Sequence, residues 1–229
     1  MKITEQERDA VYKTIYNRRD TRSEFKSDPV PEDVLKRILD AAHHAPSVGF
    51  MQPWDFIVIR DRKIRQSIKD GFELAHQQAA EMFEGERREK YRSFKLEGIM
   101  EAPLGICVTC DRSRTGDVVI GRTANPEMDL YSSVCAVQNL WLAARAENLG
   151  LGWVSIIHHA ALKKILDIPE HIVPVAYLCI GYVSHFHEKP ELEKAGWLPR
   201  MPVDSLIHYE KWSKEMPLNP AVRGELVEP

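Results

Sequence analysis

The spacing of apolar positions divides the chain into alternating helices and strands. Val11 and Ile15 fall on a helical period, which predicts a helix over roughly 5–18 that ends at an arginine cluster. Pro31 opens a second helix, with Glu32 and Asp33 complementing its dipole. Its apolar positions are Val34, Leu35, Ile38, Leu39 and Ala42, and it stops at Ala45-Pro46. The run 54–59, WDFIVI, reads as a strand. Residues 62 to about 84 read as helix, and 86–101 as a second, highly charged helical stretch. A strand is predicted at 104–110, then a polar loop at 111–127. Residues 129–149 form a helix apolar nearly all round and therefore buried, with Gly150 as the glycine that ends it. A short strand (152–157), a short helix (160–166) and an apolar strand (173–183) complete the pattern. Helices alternating with strands imply a sheet covered on both faces. From Ser184 the chain is irregular and Pro-bearing, yet Trp197, Leu198, Leu206, Ile207, Tyr209 and Trp212 are too apolar for a solvated tail. The expected arrangement is one domain over 1–229, with an arm at about 184–229 wrapping a second subunit.

Composition narrows the function. A length of 229 residues supports a sizeable core, and 44% hydrophobic with 28% charged residues is ordinary for a globular protein. The formal charge of -3 argues against nucleic acid as a partner. The N-terminus lacks an apolar signal region, and 130–146 is too polar and short to span a bilayer, so a cytoplasmic protein off the membrane is expected. Of the four cysteines, Cys107 and Cys110 have C-x-x-C spacing, but they lie in a predicted buried strand rather than at a helix N-terminus. The pair is expected to be buried structural thiols. His43-His44, His158-His159 and His185-Phe-His187 match no metal-ligand pattern, and no metal is expected.

The charge that matters is local. Arg18, Arg19 and Arg22 surround Asp20 and Thr21. Guanidinium forks match phosphate oxygens bidentately, so the cluster suits one phosphate. In a helix Arg18 and Arg22 would share a face. Asp20 is the odd member, since a carboxylate repels the anion its neighbours attract. It either neutralises the arginines, caps a helix together with Ser23 and Glu24, or does chemistry.

Two segments together carry a resemblance: Arg18-Arg19-x-x-Arg22, and Ala45-Pro-Ser-Val-Gly-Phe-Met-Gln-Pro-Trp54. The pair resembles the nitroreductase-like flavoprotein superfamily, over essentially the whole chain. Within it, Asp20 in place of a small Ser or Thr, together with 90–98, 107–112, 125–131 and Gly152-Trp-Val-Ser-Ile156, resembles the 5,6-dimethylbenzimidazole synthases, the BluB family. The resemblance implies an α+β fold: a central, mostly antiparallel sheet flanked by helices, in a homodimer with a wrapping C-terminal arm. It implies that reduced FMN is the substrate, consumed with O2 to give 5,6-dimethylbenzimidazole, the lower ligand of vitamin B12, and erythrose 4-phosphate. A separate NAD(P)H-flavin reductase would supply the reduced FMN.

The same resemblance assigns Arg18, Arg19, Arg22 and Arg200 to the FMN phosphate, and Asp20 and Ser155 to proton movement. Arginines beside Asp20 are expected to keep it ionised. Thr21, Ser47, Met51, Gln52 and Trp153 complete the flavin site, and a lid at about 84–100 brings Lys95 and Leu96 to the ring. Alternatives are an NAD(P)H-dependent FMN nitroreductase and a non-enzymatic flavin-binding protein.

Overall fold

The computed structural model describes residues 2–212, in two units that divide at Phe186/His187. The first unit contains helices α1 (Glu5–Asn17), α2 (Glu32–His43), α3 (Arg62–Glu81), α4 (Gly85–Arg92), α5 (Met128–Ala146) and α6 (His159–Ile165). Its strands are β1 (Trp54–Ile59), β2 (Leu104–Asp111), β3 (Leu149–Val154) and β4 (Ile172–Tyr182). They form one sheet in the order β1-β2-β4-β3, antiparallel throughout.

Both faces are covered, as the alternating pattern implies. Side chains in a strand alternate between faces, and here the split is clean. Leu104, Ile106 and Val108 of β2, with Ala176, Leu178 and Ile180 of β4, pack with α2 and α5 through Leu35, Ile38, Val137 and Leu140. Cys107 of β2 and Tyr177 and Cys179 of β4 face the other way, against Ile68 and Phe72 of α3 and Leu162 of α6. Truncating a fully buried residue such as Leu140 or Leu178 to Ala would cost about 2–5 kcal/mol.

Three expectations need correction. The charged stretch 86–101 is helical only to Arg92. Beyond Ser93, the Glu97 carboxylate accepts from the Ile99 N–H instead of leaving it to a helix ladder, and Gly98 lies directly on the Arg22 backbone. Gly150 does not end α5. The left-handed residue there is Asn148 (φ 58°), and Gly150 is the second residue of β3, where a Cβ would strike Val183. The helix α5 is not buried all round: Tyr131, Val134 and Cys135 are exposed. Cys107 and Cys110 are buried thiols as expected, and burial pushes the Cys107 thiol up to about 12.

In the second unit, described through Trp212, Glu191–Lys194 forms the short helix α7 and Val203–Leu206 a 3-10 turn. Tyr209 and Trp212 are exposed, and His208 stacks on Trp212 with ring centroids 4.4 Å apart. The part of the expected arm beyond Trp212 lies outside the described residues.

Candidate functional site

The arginine cluster is extended, not helical. Arg18 leaves α1 with φ -67° and ψ 136°, and the next residues run alongside β3. The Thr21 N–H donates to the Leu151 carbonyl at 3.0 Å. Gly152 makes the approach possible, because a Cβ there would sit 2.1 Å from the Thr21 carbonyl oxygen. Arg18 and Arg22 therefore do not share a helix face.

The extension gives Asp20 a defined place, and it caps nothing. One carboxylate oxygen accepts from the Trp153 N–H at 3.0 Å. The other accepts from Arg22 through Nε at 3.1 Å and Nη2 at 2.9 Å. Burial pushes the Asp20 pKa above the usual carboxylate value, against the pull of Arg22, the Trp153 N–H and Arg18. The arginines favour the charged form of Asp20 as expected, but desolvation opposes them and is the larger effect. A third of the side-chain surface, 33%, stays open. The result is a fixed, partly accessible carboxyl that is a better base than an ordinary aspartate.

The other arginines fan out from this point. The Arg18 guanidinium lies 4.5 Å above the Trp141 ring. Arg19 donates to the Tyr16 and Arg18 carbonyls, and Trp141 Nε1 donates to the Arg19 carbonyl at 3.3 Å. Trp141 and Trp153 stand 6.4 Å apart, so two indoles border the cluster. Arg145, also on α5, stacks 3.9 Å over Phe186, and its pKa is lowered by burial and by the charge of Arg19.

The segment 45–54 forms a separate loop after α2. Ser47 Oγ accepts from the Gln52 N–H at 3.0 Å. Phe50 (φ 53°) and Gln52 (φ 48°) are both left-handed, a strained choice for side-chain-bearing residues. The strain is held from outside: Arg114 donates to the Gln52 and Trp54 carbonyls at 2.8 and 3.0 Å, and Ser132 Oγ accepts from the Val48 N–H at 3.1 Å. Met51 is buried at 2% exposure, while Phe50 projects at 81%.

The segment 84–100 is fastened at both ends. Tyr91 of α4 stacks between His76 and Phe83, at 4.9 and 4.8 Å. At the far end Arg22 Nη1 donates to the Lys95 carbonyl at 3.0 Å. The Lys95 ammonium is held by Glu97 at 2.6 Å and Glu101 at 2.7 Å. Glu97 is buried and also takes Lys69 at 2.8 Å; its desolvation is outweighed by Lys69, Lys95 and the Ile99 N–H, so its pKa falls.

With this geometry in place, similarity to known proteins is decisive for the family. The nitroreductase family pattern matches residues 15–182. The chain belongs to the nitroreductase family. This family member is 43% identical to a 5,6-dimethylbenzimidazole synthase of Rhodospirillum rubrum over 185 residues, 81% of this chain and 87% of that one. A 5,6-dimethylbenzimidazole synthase of Rhodobacter capsulatus is 36% identical over 204 residues, 89% of this chain and 98% of the other. Among solved structures, the FMN-bound iodotyrosine deiodinase superposes with a TM-score of 0.70 at 23% identity, covering 88% of this chain and all of the other, a likeness of fold.

The structure thus joins Asp20, Arg22, Trp153 and Lys95 directly by hydrogen bonds. Ser155 is exposed just past the end of β3, two residues on from Trp153, and Leu96 is half-buried in the segment 84–100. Ser47, Met51 and Gln52 form their own loop after α2. Arg200 is an exposed residue of the second unit. Sequence reasoning missed Trp141, Arg145 and Arg114. A tryptophan and an arginine inside a mostly apolar helix were the available signal for the first two; Arg114, in a polar loop, offered none. No helix among the described residues is long and apolar enough to cross a membrane.

Proposed function

We propose that the chain is a 5,6-dimethylbenzimidazole synthase, which converts reduced FMN and O2 to 5,6-dimethylbenzimidazole and erythrose 4-phosphate. The observation that carries this reading is Asp20: a carboxylate built into an arginine cluster, fixed by the Trp153 N–H and Arg22, with a raised proton affinity. An enzyme that only shuttles electrons through a retained flavin gains nothing from a base at its phosphate-side arginines. The relatives at 43% and 36% identity, both named for this synthesis, support the same reading.

The donor set fits FMN. Arg18 and Arg19 supply guanidinium donors for the phosphate. Thr21, Ser47, Gln52 and Ser155 supply neutral hydrogen-bonding groups, while Met51, Leu96 and Trp153 supply apolar and aromatic surface. Bound reduced FMN brings the electrons for O2 and the ring that becomes the product. Asp20 takes a proton at the ribityl chain, and the Ser155 hydroxyl, both donor and acceptor, orients or relays one at the ring. The lid at 84–100 excludes water. A homodimer completes the site, and a separate NAD(P)H-flavin reductase delivers the substrate.

The test mixes the purified protein with chemically reduced FMN in air and follows 5,6-dimethylbenzimidazole by chromatography. Its formation at the expense of FMN is expected. Oxidation of NAD(P)H with intact flavin would instead mark an FMN nitroreductase, and bound, unchanged FMN a flavin-binding protein.

A further inference from the structure

We propose that Arg22 is a positioning residue that ties the lid to Asp20, so that the carboxylate is held for proton transfer only while the lid backbone at Lys95 is seated. This rests on the reading above, in which Asp20 acts on a flavin beneath that lid. Arg22 belongs to the phosphate-binding motif, yet its guanidinium is committed elsewhere. Nε and Nη2 hold one Asp20 oxygen at 3.1 and 2.9 Å, and Nη1 holds the Lys95 carbonyl at 3.0 Å. Its side chain is only 11% exposed.

The backbone is shaped for this link on both sides. A Cβ on Gly152 would meet the Thr21 carbonyl at 2.1 Å, and a Cβ on Gly98 would meet the Arg22 carbonyl at 2.4 Å. The segment 20–22 is thus pressed between β3 and the chain leaving the lid, with a glycine at each face. Lys95 is itself fixed by Glu97 and Glu101, so its carbonyl reports the seating of the whole segment. If the lid lifts, Arg22 loses one end of its span and the Asp20 oxygen loses a rigid donor. The charged or titratable groups around Asp20 are Arg22 and Arg18 on its own segment and the Cys179 thiol of β4; the Trp153 N–H of β3 faces it too.

The planar fork is what spans two acceptors; a lysine ammonium keeps the charge but not the span. Arg22→Lys is therefore expected to slow single-turnover loss of reduced FMN at saturation at least about tenfold while changing flavin affinity less than about threefold. Hydrogen exchange in the ligand-free protein is expected to quicken at 93–99 in both Arg22→Lys and Asp20→Asn, since each breaks the link from one side. In Arg22→Gln the acid limb of the pH–rate profile is expected to move to higher pH, because a cation that favours the charged carboxylate is gone. The proposal is overturned if Arg22→Lys weakens flavin binding more than about tenfold with the saturated rate unchanged, the behaviour of a plain phosphate ligand. Unchanged exchange at 93–99 in both folded variants also overturns it. Absence of 5,6-dimethylbenzimidazole from the wild type would overturn the proposed activity alone, because the exchange experiment needs no turnover.

Discussion

At the scale of single residues, the site turns on where Asp20 finds its partners. Its two oxygens are divided between a strand N–H and a guanidinium, so amide replacement keeps the size and loses the proposed base. Asp20→Asn is expected to retain FMN binding and to lower the fragmentation rate about 10²–10⁴-fold, measured in single turnovers. A variant that keeps more than about a tenth of the rate would rule out proton abstraction by Asp20. Gly152→Ala acts through geometry, since its methyl would displace the Thr21 carbonyl. It is expected to destabilise the fold by about 1–3 kcal/mol in denaturant titration and to slow the reaction as well. The presence of a phosphate-sized arginine group and its misfit aspartate was legible in the sequence. Its extended conformation was not, because pairing with Leu151 is a long-range bond that overrides the local helical spacing.

At the scale of elements, the proposed lid hangs on an aromatic ladder. His76 lies between Phe72 and Tyr91, at 5.3 and 4.9 Å, and its buried Nε2 has no hydrogen-bond partner among the described residues. Burial and the nearby Lys69 lower its pKa, against a smaller opposing effect of Glu97. With the folded value depressed, the unfolded chain takes up the proton first. Stability of this element is full above the ordinary histidine value of 6.5 and declines as pH falls through it toward the folded value. Exchange protection over 85–92 is expected to fall below about pH 6.5, and His76→Phe, which keeps the stack, is expected to abolish that dependence. Equal pH dependence in the variant would remove His76 as the cause. Strand 54–59 was legible to the residue, because five of its six positions, all but Asp55, are apolar or β-favouring and admit little else. The stretch 86–101 was misread because charge spacing looks alike on a helix and on a loop whose carboxylates bond their own backbone.

At the scale of the whole molecule, the apolar surface left uncovered is the main clue to assembly. Among the described residues, α1 buries none of its own, and Val11, Tyr12, Ile15 and Tyr16 are exposed together with Tyr131 and Val134 of α5. A second copy is the proposed cover. The native protein is expected to sediment at twice its 26.3 kDa chain mass, and Ile15→Glu to shift it toward the monomer with loss of flavin affinity. A monomeric wild type would contradict the proposed dimer. The layered sheet could be derived from periodicity, whereas the incomplete burial of α5 could not, because an apolar helix surface looks the same whether core or partner covers it. One feature of the sheet also bears on handling the protein. Strand β3 is an edge strand, and the backbone at 20–21 occupies the side that would otherwise recruit a foreign strand. The residues that form the proposed reaction centre thus double as a guard against aggregation. Variants that detach 18–22 are expected to precipitate more readily on concentration, so yield and solubility should be followed alongside rate whenever this segment is altered.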